Sequence, residues 1–573
     1  DGGYAVLTGP SVINEGTIVA RAGNVVLGGS ERATLNLDGR DLIHFAVDQS
    51  LGEGTVLLAP GMMSDTLAQT FGVSSSRRAN RLVEGEDGSF RLAAGTLVQA
   101  GTVSVDGREG VDGGRAVLDS SDLTILAAGS VTSASGQGEN SNGGEVYVLS
   151  AMDGKQSAAG FTDVEEGASL LATGGTSGDG GFIEVSGDRL NLHGTFDLSA
   201  AQGEHGEFLL DPITVTIVDG NMAPTDMTNP VQLSQTTVIG DEWFETLTGL
   251  TSLTVESAGH IVFDIAPSDG DLDFSGSSVK VLTLRAGTNT DNEAGDIFLG
   301  DDGTLIVGLR SLTLETVNAA GGDIDLGDSE IQISGVSSAP LTILATGSLD
   351  MGSADIDVFT GNTSGNTTLL IDVDNDINFD TADFLFDFDG GSNRNVFTTI
   401  LAGGSITGAP VDGDRSSYQN EIHVDGFTRI EADGAISLPD AEILIGDQNV
   451  TGVSLLMDSK GGSLNLSQSR VSVVQTGSGT VGATTFRSNG ATDMSFLELA
   501  ASGDLTVDSE GTLTFVDARF NPGATAGQTG FLTLDAVGDI NLGSSTFAVN
   551  ATAESDPLTI LATGSLNMGS ADI

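Results

Sequence analysis

The sequence predicts an all-β protein, an elongated right-handed parallel β-helix (β-solenoid) with coils of about 20–30 residues. Three observations lead there: strand-like strings recur at near-constant spacing, each string alternates apolar and polar residues, and glycine-centred turns rather than amphipathic helices separate them. The recurrence is plainest in LTILATGSLDMGSADI, Leu341–Ile356, which returns as LTILATGSLNMGSADI at Leu558–Ile573 with one change, Asp350 against Asn567.

Related strings begin at Leu253, Leu282, Leu312, Leu341, Leu369, Thr398, Thr428, Leu455, Leu497, Leu532 and Leu558. Successive starts differ by 29, 30, 29, 28, 29, 30, 27, 42, 35 and 26 residues, so the two long intervals are expected to carry inserted loops. Positions one and three of each string are mostly apolar and should face a core. Position four should face solvent, and holds Glu256, Arg285, Glu315, Asp372, Glu431, Asp458 and Asp535, with Leu344, Leu401, Ala500 and Leu561 as exceptions. A spacing near 29 residues without helices fits one coil per repeat, strands pairing with their equivalents about 4.8 Å above and below. Right-handed coiling follows from the handedness of parallel crossovers.

The preceding part shares the style less regularly. GGYAVL, GGRAVL, GGEVYV and GGFIEV, at Gly2, Gly113, Gly143 and Gly180, each set a glycine pair before a strand. Residues 1–110 and a Gly-rich stretch at 111–211 are expected to form β-helix coils, 212–252 a turn-rich junction, and 253–573 the regular repeats. The one short helical candidate is WFETLTGL, near Trp243.

Composition narrows the chemistry. The 573 residues include 81 Gly and only 5% aromatics, which suits a narrow solenoid core with many turns. A net charge of −59 argues against nucleic acid and anionic membrane as partners. With no cysteine, disulfides and thiolate metal sites are impossible. No apolar run approaches the roughly 18 residues of a membrane helix, so membrane insertion is not expected. The string that opens at DGGYAVL and the one cut at Ile573 suggest a piece of a longer chain.

Two segments carry a resemblance. Gly2–Val47 and Gly180–Ile217, the latter containing LLDP after a Gly-rich stretch, resemble the region after the secretion domain of filamentous haemagglutinin-like exoproteins; the LTLxAxGDIxL strings look like that family's repeats. The resemblance implies a large adhesin at the cell surface or outside a Gram-negative bacterium, exported through an outer-membrane two-partner secretion pore. Its partners would be a host or neighbouring-cell receptor or glycan, or other copies of itself. A self-assembling extracellular filament or coat is the alternative.

Catalysis is not expected. Histidines 44, 193, 205, 260 and 423 are scattered without metal-binding spacing, and no nucleophile elbow or phosphate loop is present. A carbohydrate-active β-helix enzyme would need converging carboxylates, which 80 acidic residues produce by chance. One cluster stands out: Asp372, Asp374, Asp376 and Asp380, the first three expected on one strand face within reach of a common Ca²⁺. No cofactor is required otherwise. The outward leucines Leu344, Leu401 and Leu561 are the candidate partner contacts.

Overall fold

A computed structural model describes residues 3–9, 11–29, 95–150, 160–226, 236–265, 271–288, 294–300, 304–360, 366–388, 395–409, 418–447, 452–475, 480–523, 530–549 and 558–573, with five short strands between 33 and 92. They divide into two compact units, Asp1–Asp264 with Gly276–Gly295, and Ile265–Ser275 with Asp296–Ile573. Each is a parallel β-helix. No helix among the described residues is long and apolar enough to cross a membrane.

In the first unit, three strands per coil build three faces. The first face stacks Asn24–Gly29, Arg115–Ser120, Glu145–Ser150, Phe182–Ser186 and Gly206–Asp211, all parallel and in register. Ala116, Val146, Ile183 and Phe208 form one inward column of this stack, each fully buried. Thr96–Gln99, Leu123–Leu126, Phe161–Val164 and Arg189–Leu192 make the second face. Short strands from Thr17–Val19 to Thr195–Asp197 make the third. Between Gly29 and Thr96 the described strands pair antiparallel instead, Ala33–Asn36 with His44–Val47, and Arg81–Glu84 with both Thr55–Leu57 and Phe90–Leu92. The rest of 30–94, inside the first predicted region, lies outside the described residues.

The expected helix is there, at Asp241–Glu245. Trp243 anchors it against the edge of Phe196, whose other neighbour Phe208 stacks at 4.3 Å. The stretch 212–252 also contains strands Val215–Val218 and Thr237–Gly240, so its described part continues the coil.

The paired glycines have a steric cause. The second glycine of each pair stacks on its equivalent in the next coil. A Cβ on Gly114, Gly144 or Gly181, or on the single Gly206 that takes the same place one coil on, would lie 2.0–2.1 Å from the carbonyl oxygen of the glycine below. That carbonyl accepts the N–H of the first strand residue in the next coil, as Gly114 does from Glu145 at 3.0 Å. A side chain here would separate two coils and break the ladder bond together.

In the second unit the Leu-x-Leu strings form the first face, and their odd positions fill the core: Leu312, Leu341, Leu369, Thr398, Thr428 and Leu455 stand in one column, all buried. The two long intervals are not insertions. Leu455 pairs with Thr484, Thr484 with Leu505, and Leu505 with Leu532, giving steps of 29, 21 and 27 residues. Thr484–Ser488 escapes notice because the coil has Thr both at Thr484 and at Thr492, where the neighbouring coils place Leu464 and Leu513. The string at Leu497 belongs to another face, since strand Glu498–Ala501 pairs with Arg470–Val473. Position four of these coils is therefore Arg487 and Asp508, not Ala500, which restores charge to the outward column.

Corner lengths are unequal in this unit. Three residues separate Ala345 from Leu349, Val373 from Ile377, Ala402 from Ile406 and Ala536 from Ile540. The corner returning to the first face varies from one residue, after Leu309, to ten, after Phe547. The corner from first to second face, three residues in most coils but seven after Thr316, is clamped by carboxylates: Asp296 Oδ1 accepts the N–H of Asp323 at 2.8 Å, Asp323 that of Ser348 at 2.7 Å, and Asp539 that of Ser565 at 2.6 Å. The Gly-Asp of the repeat thus satisfies a backbone donor one coil on, where the ladder leaves it without a strand partner.

Two outcomes follow. Gly144→Ala should lower first-unit stability by roughly 1–3 kcal/mol or more, measured by urea unfolding, whereas alanine at Gly129, with nothing within 4 Å but φ +81°, should act only through backbone strain. Burial raises Asp119 and Asp211 to about 7, with nearby Glu184 adding to both and Glu256 adding to Asp211. Their folded values exceed the ordinary 3.8, so the folded state binds more protons between about pH 4 and 7 and loses stability as pH rises through that window. The first unit should melt at a higher temperature at pH 5 than at pH 8, and Asp211→Asn should shrink that difference.

Candidate functional site

The third face of the second unit carries a column of outward charges set by strand register. Glu330, Asp355, Asp383, Glu421 and Glu442 occupy equivalent positions in five successive coils. At about 4.8 Å per coil this is a run of like charges, and within it Asp355 and Asp383 stand above the ordinary carboxylate range. Loss of solvation is the first cause for both; Glu330 acts next on Asp355, and Glu421 and Asp355 on Asp383. Beyond Glu442 the column alternates in sign, Arg470, Glu498, Arg519, with ion pairs of 2.7 Å from Arg470 to Glu442 and 3.1 Å from Arg519 to Glu498.

His423 stands at the change from repulsion to pairing. It lies two residues after Glu421 on strand Asn420–Val424, hence on the same face, and reaches diagonally to the next coil. Its Nε2 is 3.2 Å from Glu442 Oε2 and 3.8 Å from Glu421 Oε2. Register puts Leu385 and Leu444, both half-buried, in the coils on either side of the ring. Glu442 is well covered, its side chain 12% exposed, and Arg470 holds its other oxygen. Among the described residues, this is the group of three whose ligand atoms converge within 4.8 Å. The sequence signal is Glu-x-His on one strand with Glu at the matching position of the next coil; linear spacing between histidines could not find it.

The four sequence-chosen aspartates do not share a strand face. Asp372 ends the outward side of strand Thr367–Val373, Asp374 lies in the following bend, and Asp376 directly precedes strand Ile377–Asn378. Asp376 occupies the clamp position, its Oδ1 accepting the N–H of Ser405 at 2.6 Å. Asp380 sits at the next corner with φ +40°, where equivalent coils place Gly352 and Gly543 at +54° and +53°. The chain turns between them, so period-two spacing does not carry over. Asp389, which ends the acidic stretch IDVDNDINFDTADFLFDFD that holds these four, lies outside the described residues.

The outward leucines fall in the first-face column, where Leu344 pairs with Glu315 and Asp372, and Leu401 with Asp372 and Glu431. Both are half-buried, and Asp372 stands between them, so they do not form a continuous apolar stripe. Leu561 is 51% exposed, beside Asp535. Further along, Arg429 and Lys460 both reach Glu431, which is buried beneath them; the Arg429 hydrogen bond, with Lys460, holds its carboxyl below the ordinary range despite that burial.

Comparison of the chain with protein-family models and with curated proteins finds no match.

Asp376→Ala should lower second-unit stability by about 1 kcal/mol, the worth of one corner hydrogen bond, while Asp372→Asn should leave it within measurement error. Urea unfolding of the two variants separates a clamp from a surface charge.

Proposed function

We propose that this chain is part of a secreted β-helical exoprotein of a Gram-negative bacterium and works without catalysis, as an adhesin or surface fibre holding a receptor or glycan on another cell. The observation that carries this is the register of the outward columns. One strand face repeats its chemistry coil after coil, so the same weak contact is offered many times on one molecule. Linked weak contacts gain by effective concentration and need no deep pocket. The glycine and aspartate corners supply the rigidity that keeps such contacts in line. The haemagglutinin-like strings, and a cysteine-free composition suited to passing unfolded through a secretion pore, agree with export by a two-partner system.

Coating beads with the full chain at graded density tests this. Attachment to epithelial or bacterial cells should rise more steeply than coating density, and soluble chain should compete only weakly. Attachment proportional to density, or none, would overturn the proposal. Ordered bundles in negative stain without attachment would favour a structural polymer instead. In the same assay Leu344→Glu/Leu401→Glu should lower attachment several-fold if the apolar rungs touch the partner.

A further inference from the structure

We infer that Glu421, His423 and Glu442 form a binding site for a borderline divalent cation of the zinc class, clamping two successive coils of the second unit. The argument is geometric and independent of the adhesin proposal. Zinc bound at 2.0–2.2 Å to imidazole nitrogen and carboxylate oxygen sets tetrahedral ligand atoms about 3.4 Å apart. The two separations from His423 Nε2, 3.2 Å to Glu442 and 3.8 Å to Glu421, straddle that value. Glu421 is half-exposed and free to close the longer gap, whereas Glu442 is already fixed by Arg470 through Oε1, leaving Oε2 for the ion. Such an outer partner orients a ligand without competing for the metal.

The surroundings favour a cation as well. Asp383, in the coil before Glu421, extends the carboxylate run, and Arg470 is spent on Glu442. An imidazole among the ligands selects zinc-like ions over Ca²⁺, which prefers oxygen alone. Two ligands come from strand Asn420–Val424 and the third from Ala441–Asp447, so the ion ties neighbouring coils where their register brings like charges together. Solvent can complete the coordination.

The test uses the full chain stripped with chelator, titrated with ZnCl₂ by calorimetry and with CoCl₂ by visible absorption. One zinc equivalent should bind with an affinity that falls at least tenfold in His423→Gln and in Glu421→Gln, with unchanged circular dichroism. The Co²⁺ spectrum should lose its nitrogen-ligand bands in His423→Gln, and a hundredfold excess of CaCl₂ should not displace zinc. Zinc uptake that is absent, insensitive to His423→Gln, or abolished by CaCl₂ would overturn the site; the last would mean diffuse binding to the acidic surface.

Discussion

Every coil has to place its backbone donors under the carbonyls of its neighbour at a fixed distance, and the rest of the solenoid is built around that requirement. Along strands it is met automatically, because parallel in-register pairing spaces the bonds evenly. At corners the chain changes direction and the ladder would lapse. Two devices carry it through. Stacked glycines let the chain approach to within a distance no side chain permits, and a corner aspartate supplies the acceptor that the backbone cannot. The hydrophobic columns then fill a core whose geometry those corners have already decided.

That requirement also governs chemistry on the outside. Because like positions stack on like, a residue choice made once on a face recurs as a line, and charges meet their own kind unless the sequence alternates them. The third face of the second unit shows both solutions side by side: five carboxylates in succession, then Arg470, Glu498 and Arg519 taking turns. His423 and its two glutamates sit at the boundary, where the carboxylate run meets its first counter-charge.

The architecture was legible in the sequence because period-two alternation and a near-constant interval are direct consequences of the coil. Where sequence inference failed, the lost information was spatial. Thr484 and Thr492 together occupy two leucine slots and hide a coil; LELAASGDL at Leu497 looks like a first-face string but lies on the third face, because apolar alternation does not say which face a strand joins. Asp372, Asp374 and Asp376 look like one strand edge, yet a bend after Val373 sends them in different directions. The converging trio was invisible for the opposite reason: Glu421 and Glu442 are neighbours only through a full turn of the solenoid.

The echo between Leu341 and Leu558 gains a meaning from the register. Stepping along the ladder from one to the other passes Leu369, Thr398, Thr428, Leu455, Thr484, Leu505 and Leu532, so the copies stand eight whole coils apart despite unequal coil lengths. Asp350 and Asn567, the one difference, each accept the N–H of the glycine two residues on, at 3.1 Å in both. Copying or deleting a gene segment of such a protein keeps the ladder in register when the cut spans an integer number of turns, whatever the residue count. A solenoid of this kind changes length in quanta, and selection on its reach acts on turns rather than on residues.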